Sequence, residues 1–282
     1  MDYKFSLLDD QSDLIIGYCK NIIGLDGKTK MDGDSPEHTV SLIDFVFCNE
    51  FKKYIASSKE SIHRLAYIGI VNHEKKVIGK YPFRIYDKIY YHKTGFPEGP
   101  VKLVLNADLP YGMTSEELDI WEKWRASNPI QINEWAVLDE DHRRAWLKVV
   151  STYHAERRDD EESEQKLFFL DGTYVTDYCS FFCALGEALR GPGGYYGFDF
   201  NSFIDCLHGG YGARAPFTLV WKNVQVAQKS LDLQAWVKEI EYKRRRDFEL
   251  NEEPAFEESG NRPLFQAIVE NLQEQGVTIV LE

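Results

Sequence analysis

The chain has 282 residues, of which 43% are hydrophobic and 14% aromatic, so it is long enough to form two domains with separate cores. Its formal net charge is −13, and the acidic excess runs along its whole length, which argues against direct binding of nucleic acid and favours a basic protein as partner. The N-terminus lacks a basic leader followed by an apolar run, and no stretch is long enough to cross a bilayer. We therefore expect a cytoplasmic protein without a membrane partner.

Residues 1–160 predict a β-rich α+β domain whose role no motif indicates. It opens with a hairpin formed by "YKFSLLDD" and "DLIIGYCKNI", and further strands are expected in "RLAYIGIV", "KVIGKYPFRIYDKIYYH" and "VKLVLNA". The pattern then becomes helical in "TSEELDIWEKWRAS", where Thr114 is a good N-cap. The following segment, "EDHRRAWLKVVSTYHAE", fits either a helix or a closing strand.

Residues 156–165 contain no apolar side chain and many charges, so they predict a linker and a domain boundary near residue 160. Residues 161–282 then predict an α/β domain. Its strands are expected in "KLFFLDG", "PFTLVWKN" and "VTIVLE", and its helices in "TDYCSFFCALGEALRG" and "NRPLFQAIVENLQEQG". Mixed charges without periodicity predict an exposed insertion at about residues 232–262.

The segment "YYGFDFNSFIDCL", residues 195–207, predicts a short amphipathic helix preceded by a glycine-flanked loop. If Asp199 caps this helix, apolar side chains occupy one face, and Asn201, Asp205 and His208 occupy another. The simplest interpretation of Asp205 is an ordinary solvated side chain. The adjacent tyrosines, Tyr195 and Tyr196, fit either the core or a protein-binding surface, and spacing does not decide between them.

No constellation in the chain points to catalysis or to a metal. Cys179 and Cys183 lie one helical turn apart, but no second Cys or His pair lies nearby to complete a zinc site, so core packing is the better interpretation. "GPGG", residues 191–194, lacks the lysine and the Ser or Thr of a phosphate-binding loop. We expect no catalytic residue, no metal and no cofactor, and we expect the five cysteines to remain thiols.

The order of "LFFLDG", "YYG" followed by "DCL", "PFTLVW", "LFQAIVENLQEQG" and "VTIVLE" resembles the barstar family of intracellular ribonuclease inhibitors. The resemblance covers residues 166–282. It implies a three-stranded parallel sheet with packed helices, in which the loop and the second helix plug the active site of a basic ribonuclease. It also implies two acids one turn apart on that helix, and this chain has Asn201 at the first position and Asp205 at the second.

The resemblance further places an aromatic anchor at Tyr195 or Tyr196, and Ile204 where the family has a bulky aromatic residue. It places one more acid at Glu270. With the displayed helix face, the expected partner-binding residues are Tyr195, Tyr196, Asp199, Asn201, Ile204, Asp205, His208 and Glu270.

The expected function is therefore that of a non-enzymatic ribonuclease inhibitor or nuclease-toxin immunity protein. Its expected partner is a basic extracellular or toxin ribonuclease. Two alternatives stay open. One is a regulatory adaptor that binds a non-nuclease partner, and the other is a small-molecule-binding protein that uses the N-terminal domain.

Overall fold

In a computed structural model, the chain divides into two compact units, Met1–Asn128 and Pro129–Glu282. The structure describes residues 2–26, 30–32, 35–37, 39–58, 65–87, 95–155, 166–249 and 262–282. The predicted linker at residues 156–165 lies outside the described residues. No helix among the described residues is long and apolar enough to span a membrane.

The N-terminal unit is β-rich, as the sequence predicts. Its strands are β1 (Phe5–Asp9), β2 (Ile15–Cys19), β3 (Asn21–Ile23), β4 (Lys30–Asp32), β5 (Ser35–Glu37), β6 (Thr39–Phe47), β7 (Leu65–Val71), β8 (Val77–Ile85) and β9 (Val101–Asp108). Its helices are α1 (Asn49–Ser58) and α2 (Ser115–Ala126). The predicted opening hairpin is β1 paired antiparallel with β2.

Seven strands of this unit form one antiparallel sheet in the order β2-β1-β7-β8-β9-β6-β3, and β2 also pairs with β6. The additional pairing closes a ring through β1, β7, β8, β9, β6 and β2, which removes free strand edges along that ring. The predicted cap of α2 is confirmed, because Thr114 Oγ1 accepts from Glu117 N at 3.2 Å. The Glu117 carboxylate is buried, and Tyr81 Oη donates to it at 3.2 Å.

The C-terminal unit is built around the parallel sheet β10-β11-β12, which confirms the predicted three-stranded parallel arrangement. The strands are β10 (Leu167–Asp171), β11 (Phe217–Lys222) and β12 (Val277–Leu281). The helices are α3 (Glu140–Ala155), α4 (Tyr178–Arg190), α5 (Phe200–Leu207), α6 (Val224–Ser230), α7 (Leu233–Glu249) and α8 (Leu264–Glu274), and short 3-10 helices span Glu134–Val137 and Gly172–Tyr174.

Helix α3 resolves the segment for which the sequence left helix and strand open. It packs against α4, and its Arg143 guanidinium pairs with Asp177, the N-cap of α4. These contacts are why the compact units divide before α3, whereas the charge pattern predicts a boundary near residue 160. The assignment of residues 1–160 and 161–282 as sequence domains stays a prediction.

Part of the predicted exposed insertion is a packed helix. Helix α7 buries Trp236, Glu239 and Lys243, which lie three and four residues apart and therefore share one face. Arg144 on α3 donates to both carboxylate oxygens of Glu239, at 2.8 and 3.3 Å, and its guanidinium lies 3.6 Å from the centroid of the Tyr242 ring. The remainder of the predicted insertion, residues 250–261, lies outside the described residues.

Candidate protein-binding site

The loop that leads into α5 is held tightly by its glycines. A Cβ atom on Gly194 would lie 2.4 Å from the carbonyl oxygen of Gly186 on α4, and one on Gly186 would lie 2.3 Å from the carbonyl oxygen of Gly194. Gly197 has a φ of +87°, and a Cβ atom there would lie 2.7 Å from Phe203 N. The loop therefore packs directly on α4 and α5, which fixes the direction in which α5 begins.

Asp199 is the N-cap of helix α5, as predicted, and Ser202 completes a capping box with it. The Asp199 carboxylate accepts from Ser202 N at 2.8 Å and from Ser202 Oγ at 2.7 Å. Ser202 Oγ in turn accepts from Asp199 N at 3.0 Å and from Phe198 N at 2.9 Å. These bonds satisfy amide groups that have no partner within the helix, so Asp199 has a structural role at this position.

The face of α5 that the sequence predicts to be displayed is exposed. Asn201, Asp205 and His208 are exposed, whereas Ile204 is half-buried at its margin. Among the described residues, the Asp205 carboxylate makes no hydrogen bond and no ion pair. His208 Nδ1 lies 2.8 Å from the carbonyl oxygen of Ile204, so the Nδ1-protonated ring donates there and directs Nε2 away from the helix backbone.

The opposite face of α5 is core, formed by Phe203, Cys206 and Leu207. Burial, reinforced by the Asp205 carboxylate, raises the pKa of the Cys206 thiol to about 12. The thiol is therefore protonated at neutral pH, which makes it a poor nucleophile.

The two loop tyrosines are both buried, which is one of the two environments that the sequence left open, and their assignment to the partner-binding surface stays a prediction. Tyr196 is 0% exposed, packs against Phe203 and Phe217, and donates its hydroxyl to Ala213 O at 2.7 Å. Tyr195 is 6% exposed and packs against Tyr211 with ring centroids 5.7 Å apart; its burial raises its pKa above the ordinary range. In this arrangement the tyrosines hold the loop and helix together and offer a partner almost no surface.

Two residues near this face were not found from the sequence. Phe198, 37% exposed, is the aromatic side chain that the loop presents outward. Glu187 on α4 is buried and accepts from Gly193 N at 3.3 Å, which fixes the start of the loop. Phe198 could have been found from its place between the tyrosines and the cap, but nothing in the pattern around Glu187 distinguishes it from a solvated glutamate.

Glu270 lies on α8 and is half-buried. Its carboxylate forms an ion pair with Arg262 and accepts from Gln266 Nε2 at 2.7 Å. Among the described residues, the hydrogen bonds and the ion pair of Glu270 join it to Arg262 and Gln266 and not to α5. Its assignment to the same binding surface therefore stays a prediction.

Comparison with protein families matches residues 165–254 to Barstar, described as barnase inhibitor. The match begins just before β10 and includes the loop and α5, so it contains the whole displayed face. Neither the curated proteins nor the solved structures gave a match.

Proposed function

We propose, from the premise that residues 165–254 carry a barstar-family domain, that this protein binds and inhibits a basic ribonuclease. The observation that carries the proposal is the exposed Asp205 carboxylate, which has no partner in the described ranges, on a helix whose start is fixed by capping bonds and by close glycine packing. A carboxylate carried on a backbone fixed in this way is suited to a cationic cleft, because the helix needs no rearrangement before it meets its partner.

The proposed inhibition is steric and electrostatic, and the protein makes and breaks no bond. Helix α5 enters the cleft in which the ribonuclease binds the phosphates of RNA, with Asp205 facing the enzyme's cations. Asn201 contributes an amide that both donates and accepts hydrogen bonds, His208 contributes Nε2, and Ile204 and Phe198 contribute apolar surface at the margin. Tyr195 and Tyr196 support this face from beneath, while Asp199 and Glu270 add negative charge around it.

We further propose that the protein protects its own cell as an immunity protein against an extracellular or toxin ribonuclease. This role requires the inhibitor to be in the cytoplasm, where the RNA to be protected lies. The net charge of −13 supports it, because a strongly acidic inhibitor attracts a basic enzyme at long range.

A second candidate, a regulatory adaptor for a non-nuclease protein, is favoured by one observation. Asn201 is neutral at a position where the family resemblance implies an acid, so the displayed face carries one central carboxylate and not two. Fewer charges fit a less cationic partner surface. An adaptor would still use Asp205, but it would leave ribonuclease activity unchanged.

Titration of the full chain into activity assays of small basic bacterial ribonucleases, barnase among them, separates these candidates. We expect stoichiometric inhibition of at least one enzyme, and we expect Asp205→Ala to weaken it by about 30-fold or more, as is typical for loss of one partner of a desolvated charge pair. Glu241→Ala is the matched control, because Glu241 is an exposed acid on α7, outside the proposed face. If the wild-type protein inhibits none of the ribonucleases, the inhibitor proposal is refuted.

Ionic strength provides an independent check on the same complex. Because exposed charges are screened over about 10 Å at 0.1 M salt, the association rate of wild type should fall steeply as salt is added. The association rate of Asp205→Ala should depend less steeply on salt concentration, and that of Glu241→Ala should depend on it about as steeply as wild type. Equal salt dependence of wild type and Asp205→Ala would show that Asp205 does not face the cations of the enzyme.

A further inference from the structure

The segment at residues 129–138, which precedes α3, displays three aliphatic side chains on its outer side. Ile130 is 77% exposed, Ile132 58% and Val137 89%. A single exposed apolar residue is ordinary in a globular protein, but a group of them within one short segment is typical of an interaction surface. No part of this segment falls within the matched family region.

The backbone of this segment is fixed by two carboxylates. Glu134 Oε1 accepts from Ile130 N and from Gln131 N, each at 3.1 Å. Glu187 Oε2, on α4, accepts from Asn133 N at 2.7 Å and from Trp135 Nε1 at 2.9 Å. The Trp135 ring is fully buried, so the segment is anchored to the unit while its aliphatic side chains point outward. A surface ordered in this way loses little conformational entropy on binding.

The same carboxylate connects this segment to the loop before α5. Glu187 is 8% exposed, and its second oxygen, Oε1, accepts from Gly193 N. Asn133 and Gly193 therefore lie on two sides of one side chain. Six residues of fully extended chain from Gly193 to Asp199 span at most about 20 Å. One interface of the standard size, about 800 Å² per partner, is wide enough to include both Gly193 and the start of α5.

The charges around the aliphatic side chains indicate the kind of partner. Glu134 and Asp139 are both exposed and lie within the segment or directly after it, and Asp139 Oδ1 also lies 2.8 Å from His142 Nδ1. An apolar centre with an acidic rim complements a basic protein surface that offers an apolar contact of its own. We propose that Ile130, Ile132 and Val137 form a second contact with the same basic ribonuclease that α5 engages. This inference rests on the proposed function.

The test measures binding of the full chain to immobilised, catalytically inactivated basic bacterial ribonucleases, barnase among them. The variant is Ile130→Ala/Val137→Ala, which leaves Trp135 and the carboxylates of Glu134 and Glu187 in place. The matched control is Leu167→Ala/Val280→Ala, which removes two exposed aliphatic side chains from the outer face of the β10-β11-β12 sheet. Asp205→Ala is measured beside them.

We expect Ile130→Ala/Val137→Ala to weaken binding by about tenfold or more, mainly through faster dissociation, with little change in salt dependence because the contact is apolar. The control should bind like wild type. If Asp205→Ala weakens binding and Ile130→Ala/Val137→Ala does not, the second contact is refuted while the proposed function stands. If the control variant loses as much binding affinity as Ile130→Ala/Val137→Ala, the second contact is also refuted. If wild type binds none of the ribonucleases, both proposals fall.

Discussion

Replacement of Asp199 by alanine separates the structural role of this residue from any role in binding. The substitution removes a carboxylate that accepts from Ser202 N at 2.8 Å and from Ser202 Oγ at 2.7 Å. Loss of an N-cap costs about 1 kcal/mol, and loss of a negative charge at a helix start costs about 0.3–1 kcal/mol. We therefore expect Asp199→Ala to destabilise α5 by roughly 1–2 kcal/mol.

Native-state hydrogen exchange measures this effect where it occurs. A loss of 1–2 kcal/mol corresponds to roughly five- to thirtyfold faster exchange of the α5 amides that open locally. Asp199→Ser is the matched variant, because serine caps a helix about as well as aspartate but carries no charge. Asp199→Ser should lose only the contribution of the negative charge to the stability of α5. Its α5 amides should exchange distinctly more slowly than those of Asp199→Ala.

The two variants also give the result that would contradict this reasoning. If Asp199→Ser accelerates exchange as much as Asp199→Ala, the hydrogen bonds of the cap are not the source of the stabilisation. If neither changes exchange, Asp199 does not stabilise the start of α5. In ribonuclease binding, Asp199→Ser isolates the contribution of the negative charge from that of the cap.

Three further predictions concern the supports of the displayed face and the buried charges of the C-terminal unit. Tyr196→Phe leaves the buried Ala213 carbonyl without its donor and should lower the free energy of unfolding in urea by about 1–2 kcal/mol. Glu239→Ala removes the buried partner of Arg144, which keeps only its ion pair with the less buried Glu140 at 3.1 Å, and should lower the free energy of unfolding by about 2–3 kcal/mol, measured in the same way. Burial raises the pKa of the Glu187 carboxyl group above its ordinary value of 4.5. As the pH rises, this group therefore loses its proton at a lower pH in the unfolded chain than in the folded protein. The stability of wild type relative to Glu187→Gln should therefore fall as the pH rises from about 4.5 to the folded-state pKa, and a rise over that interval would contradict this assignment.

Much of the C-terminal unit could be predicted because its signals are local. Asp199 as an N-cap predicts the start of α5, and the helical spacing of Phe200, Phe203, Ile204 and Leu207 predicts its two faces. The glycine at 191 ends α4 with a φ of +79°, as a glycine after a helical pattern predicts. The resemblance to barstar added the parallel pairing of the strands, which the periodicity of the separate strands does not contain.

The remainder could not be predicted because it depends on contacts between distant residues. Tyr196 is buried through a hydrogen bond to Ala213 and packing on Phe217, neither of which its own loop reveals. Helix α7 was expected to be an exposed insertion because its buried face includes Glu239 and Lys243, which a hydrophobic pattern counts as polar. The pairing of Glu239 with Arg144, 95 residues away in the chain, and the position of Lys243 Nζ 5.0 Å from the centroid of the Tyr178 ring make that face compatible with burial.

Competition between the inhibitor and a substrate analogue tests the central proposal most directly. A catalytically inactivated basic ribonuclease that binds the full chain is loaded with a short, labelled single-stranded oligodeoxynucleotide, and the full chain is added. If α5 occupies the phosphate-binding cleft, the two ligands exclude each other: the inhibitor displaces the oligonucleotide completely, and Asp205→Ala requires about 30-fold or more protein to do so. A stable ternary complex of ribonuclease, oligonucleotide and inhibitor would contradict the proposal.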